Sequence, residues 1–192
     1  ASAAAGEAAR TLATAKGSLT SEKAYPPERD VSHEAPRLGV FVCSCGINIA
    51  NTVDVKQLAE YARGLPGVVH VENNMFTCST DTQVLMAEKI CEHSLNRVVV
   101  AACTPRTHEP MFQDTLSECG LNPYLLEMAN IRNHNSWVHM GDPESATKKA
   151  KDQVRMAVAK AALNVPLKRP GVDVVQAAMV VGGGLAGMSA AL

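Results

Sequence analysis

From Arg37 onward the chain alternates short apolar runs with stretches whose apolar residues recur every three or four positions. The runs Gly39–Val42, Val68–Val71, Val98–Ala102 and Tyr124–Met128 are strand-length and bounded by turn-forming residues, which predicts four strands. Between the first two, Val55, Leu58, Ala59, Ala62 and Leu65 share one helical face. Asp54 can cap that helix, and Gly64 with Pro66-Gly67 ends it. Ser79, Thr80 or Asp81 can cap a second helix with Val84, Ala87, Ile90 and Cys91 in one stripe. Thr104-Pro105 and Thr107 supply start signals for a third, with Phe112, Thr115, Leu116 and Cys119 aligned. Strand and helix in strict alternation imply an α/β fold with a mostly parallel sheet and right-handed crossovers. Asp142-Pro143-Glu144 then opens a long helix rich in Ala and Lys, running to about Asn164. Pro166 and Pro170-Gly171 mark a boundary after it.

The pattern places chemistry at the strand ends. Gly39-Val40-Phe41-Val42 runs directly into Cys43-Ser44-Cys45-Gly46, Cys78 follows the second strand and a short loop, and Cys103 follows the third strand directly. Parallel strands bring all three loops to one sheet edge, where open α/β sheets bind their ligands. Cys43, Cys45, Cys78 and Cys103 are therefore the candidate ligands of a metal or iron–sulfur site, since four thiolates complete either a 4Fe–4S cluster or a structural zinc. His108 is a substitute ligand if one thiol is not used. Arg106 follows Cys103 closely, and Arg132, His134 and His139 follow the fourth strand. A cation beside a cluster raises its reduction potential. Cys91 and Cys119 fall inside expected helices and read as small buried hydrophobes.

A second pattern closes the chain. Val174–Val181 is apolar apart from Gln176 and reads as a strand, and Gly182-Gly183-Gly184-Leu185-Ala186-Gly187 follows at once. This is G-x-G-x-x-G between a strand and a helix, the context of a dinucleotide pyrophosphate turn. Val174–Leu192 carries no charge and is long enough for a membrane span, but three consecutive glycines in its middle argue against one. The chain stops inside the helix after the turn, so it reads as the front portion of a longer polypeptide.

Composition narrows the classes. With 192 residues, 46% hydrophobic and 19% charged, the chain has the material for an ordinary core. A net charge of -1 and 4% aromatics give no basis for a nucleic-acid partner. Six cysteines without a secretory signal favour reduced thiols in a cytoplasmic setting over a disulfide framework. Residues 1–36, rich in Ala, Ser, Thr, Glu and Lys, read as a flexible arm. Glu7, Glu22, Glu28, Asp30 and Glu34 argue against a transit peptide there.

Four phrases taken together go further: Val42-Cys43-Ser44-Cys45-Gly46-Ile47-Asn48-Ile49, Thr77-Cys78-Ser79, Cys103-Thr104-Pro105-Arg106-Thr107-His108-Glu109-Pro110 and Met128-Ala129-Asn130-Ile131-Arg132. From about Arg37 to its end the chain resembles the heterodisulfide reductase A-subunit family. The resemblance implies a small Rossmann-like iron–sulfur domain over 37–141, a linker helix and loop over 142–170, and the first β-turn-α of an FAD-binding domain over 171–192. It also implies that Cys43, Cys45, Cys78 and Cys103 hold a 4Fe–4S cluster and that Gly182, Gly183, Gly184, Leu185, Ala186 and Gly187 form the FAD pyrophosphate loop. The implied function is electron transfer within a cytoplasmic complex that includes B- and C-type subunits, hydrogenase or formate dehydrogenase modules, and ferredoxin, and that in methanogens is proposed to bifurcate electrons. Asn135 stands where the family pattern often has a cysteine before Ser-Trp-Val-His. The alternative is a structural or interaction module whose four cysteines hold zinc or nothing.

Overall fold

The computed structural model describes residues 2–15, 17–18, 21, 23–175 and 177–192; Glu22 and Gln176 lie outside them. Four strands form one parallel sheet, β1 Leu38–Cys43, β2 Val68–Asn74, β3 Arg97–Ala102 and β4 Leu126–Asn130, in the order β2-β1-β3-β4. The helices are α1 Ser2–Thr11, α2 Val55–Arg63, α3 Thr80–Glu92, α4 Pro105–Glu118, α5 Pro143–Leu163 and α6 Leu185–Ala191. α2 and α5 pack on each other and on the sheet, while α3 and α4 pair separately, with α4 against β4. Every residue of β1 and β3 is buried, because both central strands are covered on two faces.

Local chemistry explains where the elements start. Asp54 Oδ1 accepts the Gln57 N–H at 2.9 Å and caps α2. Ser79 caps α3 by accepting the Thr82 N–H, and Asp142 caps α5 by accepting the Ser145 N–H at 3.1 Å. β4 begins two residues later than the apolar run suggests. The Asn122 side chain accepts the Tyr124 N–H at 3.1 Å and closes a 3₁₀ turn over Pro123–Leu125 first. On α3 the buried stripe is Thr82, Met86 and Ile90, and both Val84 and Cys91 are exposed. Cys91 is therefore not the buried hydrophobe its spacing suggests, because the buried face repeats every four residues from Thr82.

The segment before β1 lies on the domain along much of its length. Val31 is fully buried in the core. The Arg29 N–H donates to the Gly120 carbonyl at 2.7 Å, its guanidinium donates to the Leu95 carbonyl at 2.9 Å, and Asn96 Nδ2 donates to Glu34 at 2.9 Å. Lys23 and Tyr25 both engage Asp114 on α4. α1, in contrast, buries none of its residues.

The strand expected over Val174–Val181 does not form among the described residues. Val174, Val175, Met179 and Val181 are each more than 70% exposed. A strand needs a partner, and the described residues of this segment hydrogen-bond to neither sheet edge; among them the Ala177 N–H donates to the nearby Val175 carbonyl. The glycine turn itself is shaped. Gly182 has φ 118, and a Cβ on Gly187 would sit 1.9 Å from the Gly182 carbonyl oxygen, so α6 can start against the turn only with glycine there.

Candidate functional site

The chain runs outward from β1 to β2 and in the other direction from β3 to β4, so the topological switch lies between β1 and β3. Cys43 is the last residue of β1 and Cys103 directly follows β3, which places both buried thiols at that switch. Cys43 pairs in register with Asn74, at the end of β2 and four residues before Cys78. The chain turns sharply after Cys45 because Gly46 adopts φ 32, and the 3₁₀ turn Gly46–Asn48 follows. Cys45 and Cys78 are partly exposed at the mouth.

Two of the sulfurs accept hydrogen bonds. The Thr77 backbone N–H reaches Cys43 Sγ at 3.5 Å, and Asn48 Nδ2 reaches Cys45 Sγ at 3.7 Å. Neither residue stands out in the sequence; the available signal is a polar neighbour one position before Cys78 and another three positions after Cys45. Gln83 ties the Cys78 loop to α4, donating to the Thr77 carbonyl while accepting from Thr115 Oγ1 at 2.7 Å. The π-helical turn Arg132–Ser136 closes the other side, with Ser136 Oγ donating to the Asn48 carbonyl.

Charge at the site comes from β4's loop. Burial, followed by the charges of Cys43 and Cys45, pushes the Cys78 thiol up, and Arg132 opposes this. Burial also pushes Cys103 up, with Arg132 lowering it and Cys43 and Cys78 raising it. Cys78 thus lies within electrostatic reach of Cys43 and Cys45, Cys103 within reach of Cys43 and Cys78, and Arg132 acts on both Cys78 and Cys103. Its guanidinium lies 4.7 Å from the Trp137 ring centroid. Arg106 is exposed, His134 is exposed, and His139 lies near Lys149 Nζ at 3.4 Å. His108 is half-buried on α4.

Among the described residues, no three His, Cys, Asp or Glu side chains converge closely enough to grip a metal ion. The donor set nonetheless suits a thiolate-ligated group: four thiols on three loops, N–H donors already aimed at two sulfurs, and one nearby cation. The buried hydroxyl Thr77 Oγ1 also lacks a partner, an unmet donor beside Cys78. Asn135 is fully buried, and its amide donates to the Ala146 carbonyl of α5 at 2.9 Å, which pins the π turn to that helix. Exposed apolar side chains come from the same loops: Ile47, Met75, Phe76, Trp137, Val138 and Met140. Exposed apolar side chains grouped in this way mark an interaction surface.

Fold and site define a parallel α/β domain with cysteines at or after the carboxyl ends of its strands, two of them, Cys43 and Cys103, at the topological switch. The chain is 55% identical over 162 residues to iron–sulfur A-subunit 2 of the CoB–CoM heterodisulfide reductase of Methanopyrus kandleri, covering 84% of this chain and 25% of that protein. It is 52% identical over 165 residues to the A-subunit of the H₂:CoB–CoM heterodisulfide,ferredoxin reductase of Methanothermobacter marburgensis, covering 86% and 25%. It is 49% identical over 162 residues to the heterodisulfide reductase A-subunit-like protein of Archaeoglobus profundus, covering 84% and 23%. Over the part it spans, the chain belongs to the heterodisulfide reductase A-subunit family. It spans about a quarter of the length of these curated relatives. No protein-family model matches it. Among the described residues, no helix is long and apolar enough to cross a membrane.

Proposed function

We propose that this chain is an electron-transfer module of a heterodisulfide-reductase-type oxidoreductase, with Cys43, Cys45, Cys78 and Cys103 holding a 4Fe–4S cluster. The observation that carries the reading is the gathering of these four thiols at one strand edge of a chain whose Methanopyrus relative is named as iron–sulfur. A bound cluster would supply one-electron storage and transfer. The chain's own residues supply the rest. The Thr77 N–H and Asn48 Nδ2 donate to sulfur and stabilise negative charge there, while Arg132 favours the thiolate forms that ligation requires. β1 and β3 hold Cys43 and Cys103 rigidly and shield them from water, while the apolar rim offers a surface for an electron partner.

In the same reading, Gly182, Gly183, Gly184, Leu185, Ala186 and Gly187 form the pyrophosphate turn of an FAD site completed by further polypeptide. The complex is cytoplasmic and includes B- and C-type subunits, hydrogenase or formate dehydrogenase modules and ferredoxin, and electron bifurcation in it would require the FAD. Residues 37–141 would be the cluster domain, 142–170 the linker and 171–192 the start of the flavin domain. Anaerobic preparation with iron and sulfide tests the cluster. Bound iron, acid-labile sulfide and visible absorption that bleaches on reduction are expected. Cys45→Ala, Cys78→Ala and Cys103→Ala should each lose iron, whereas Cys91→Ala and Cys119→Ala should keep it. Stoichiometric zinc with no iron, or equal iron loss in both groups, would overturn the assignment.

A further inference from the structure

The two cysteines away from the strand edge lie against each other. Cys91 is in the last turn of α3 and exposed, and Cys119 ends α4 and is half-buried. Cys119 Sγ donates to the Ala87 carbonyl at 3.7 Å, one helical turn before Cys91, and its thiol also hydrogen-bonds to that of Cys91. Both helices return antiparallel to the strands, so their C-terminal ends meet at the sheet edge opposite the four-thiol site. Electron transfer at that site makes no use of this pair.

We propose that Cys91 and Cys119 are a second thiol site, a reversible dithiol–disulfide pair that exchanges with low-molecular-weight disulfides. Exposure sets the order of events. The Cys91 thiolate attacks one sulfur of R–S–S–R, the S–S bond breaks, and the departing RS⁻ takes a proton to leave as RSH. Cys119 then attacks the Cys91 sulfur, breaking the mixed disulfide and releasing the second RSH. The two cysteines lose two electrons and two protons, and the small disulfide gains both.

Burial, followed by the charge and hydrogen bond of Cys91, holds the Cys119 thiol up at about 12. Converting Cys91 to a mixed disulfide removes its share of that effect, so the capping step itself makes Cys119 easier to ionise. The two thiols are already neighbours on two helices that pack together. The product would staple the ends of α3 and α4.

Treatment of the reduced chain with 2-hydroxyethyl disulfide, followed by alkylation, digestion and mass spectrometry, reads this directly. The expected product is a Cys91–Cys119 cross-linked peptide that reverts with dithiothreitol. In Cys119→Ser, or Cys119→Ala if the serine variant folds poorly, Cys91 should keep the hydroxyethyl adduct. In Cys91→Ser, modification of Cys119 should slow at least ~10-fold, its thiol being half-buried and protonated. A lasting adduct on Cys91 in the parent chain would overturn the proposal. So would a cross-link from Cys91 to a strand-edge cysteine, or undiminished modification of Cys119 in Cys91→Ser.

Discussion

Thr77→Val separates the energetics of the metal-free fold from those of the site. Thr77 is fully buried, and its hydroxyl has no hydrogen-bond partner. Its backbone is fully used: the N–H reaches Cys43 Sγ at 3.5 Å and the carbonyl accepts from Gln83. Valine keeps the β-branched shape and both backbone bonds and deletes only the hydroxyl. Burying a hydroxyl without a compensating bond costs about 1–3 kcal/mol in protein mutational data. Most buried core substitutions destabilise, but this one should stabilise the metal-free chain by roughly 1–2 kcal/mol, with Tm rising about 2–4 °C per kcal/mol at this size. Urea unfolding of reduced, metal-free protein is the assay, read as a shift in midpoint at unchanged m. With a cluster bound the sign should reverse in a different observable. A hydroxyl that donates to sulfur raises the reduction potential, so Thr77→Val should lower it. Loss of more than ~1 kcal/mol in the metal-free chain would refute the reasoning, because it would mean the hydroxyl is already satisfied in the fold.

Arg132→Gln should move the titration of Cys78 and Cys103 further up, since Arg132 is what lowers both against burial; thiolate absorbance followed against pH reads this, and an unchanged titration would remove Arg132 from the site. The folded Cys119 thiol holds its proton to about 12 against an ordinary value of 9.0, so its contribution is intact below 9 and stability falls as pH rises from 9 toward 12; Cys119→Ala should flatten that part of the stability profile. Asp114, held below its ordinary 3.8 first by Lys23 and then by Tyr25, anchors the segment before β1, so Asp114→Asn should speed tryptic cleavage after Lys23; cleavage at the parent rate would mean that Val31 and Arg29 suffice. Because the described residues before the glycine turn lack a sheet partner, titration of the 192-residue chain with FAD, followed by flavin fluorescence, should show weak or no binding; tight stoichiometric binding would show that the turn is already preorganised.

The parallel α/β order was legible because strand runs and helical stripes have different periods, and because the caps at Asp54, Ser79 and Asp142 are local chemistry. The placement of Cys43 and Cys103 at neighbouring strand ends also followed from local facts, since the topology sets β1 beside β3. What failed to show in the sequence depends on partners distant along the chain. Cys91 and Val84 follow the apolar rhythm of α3, yet the face turned to the core carries Thr82, Met86 and Ile90 instead. Arg106, three residues after Cys103, is exposed to solvent, whereas Arg132 acts on Cys78 and Cys103 from another loop. Val174–Val181 has the composition of a strand, but composition cannot provide a neighbouring strand.

The architecture also bears on whether the thiols are structural or redox ligands. Structural metals are most needed where a small domain cannot bury enough apolar surface to fold. Here β1 and β3 are buried throughout, Phe41, Phe112, Leu58 and Leu116 are fully enclosed, and α2, α3, α4 and α5 pack around one sheet. None of that core depends on a bond between the four sulfurs. The thiols sit outside the ends of the strands, where a bound group would meet both a rigid backbone and the solvent-facing rim formed by Ile47, Met75, Phe76 and Trp137. An electron carrier needs that position, because a partner must approach closely while the ligands stay fixed. Cys43 and Cys103 are buried while Cys45 and Cys78 are partly exposed, the combination of fixed and approachable thiols that the proposed electron carrier would require.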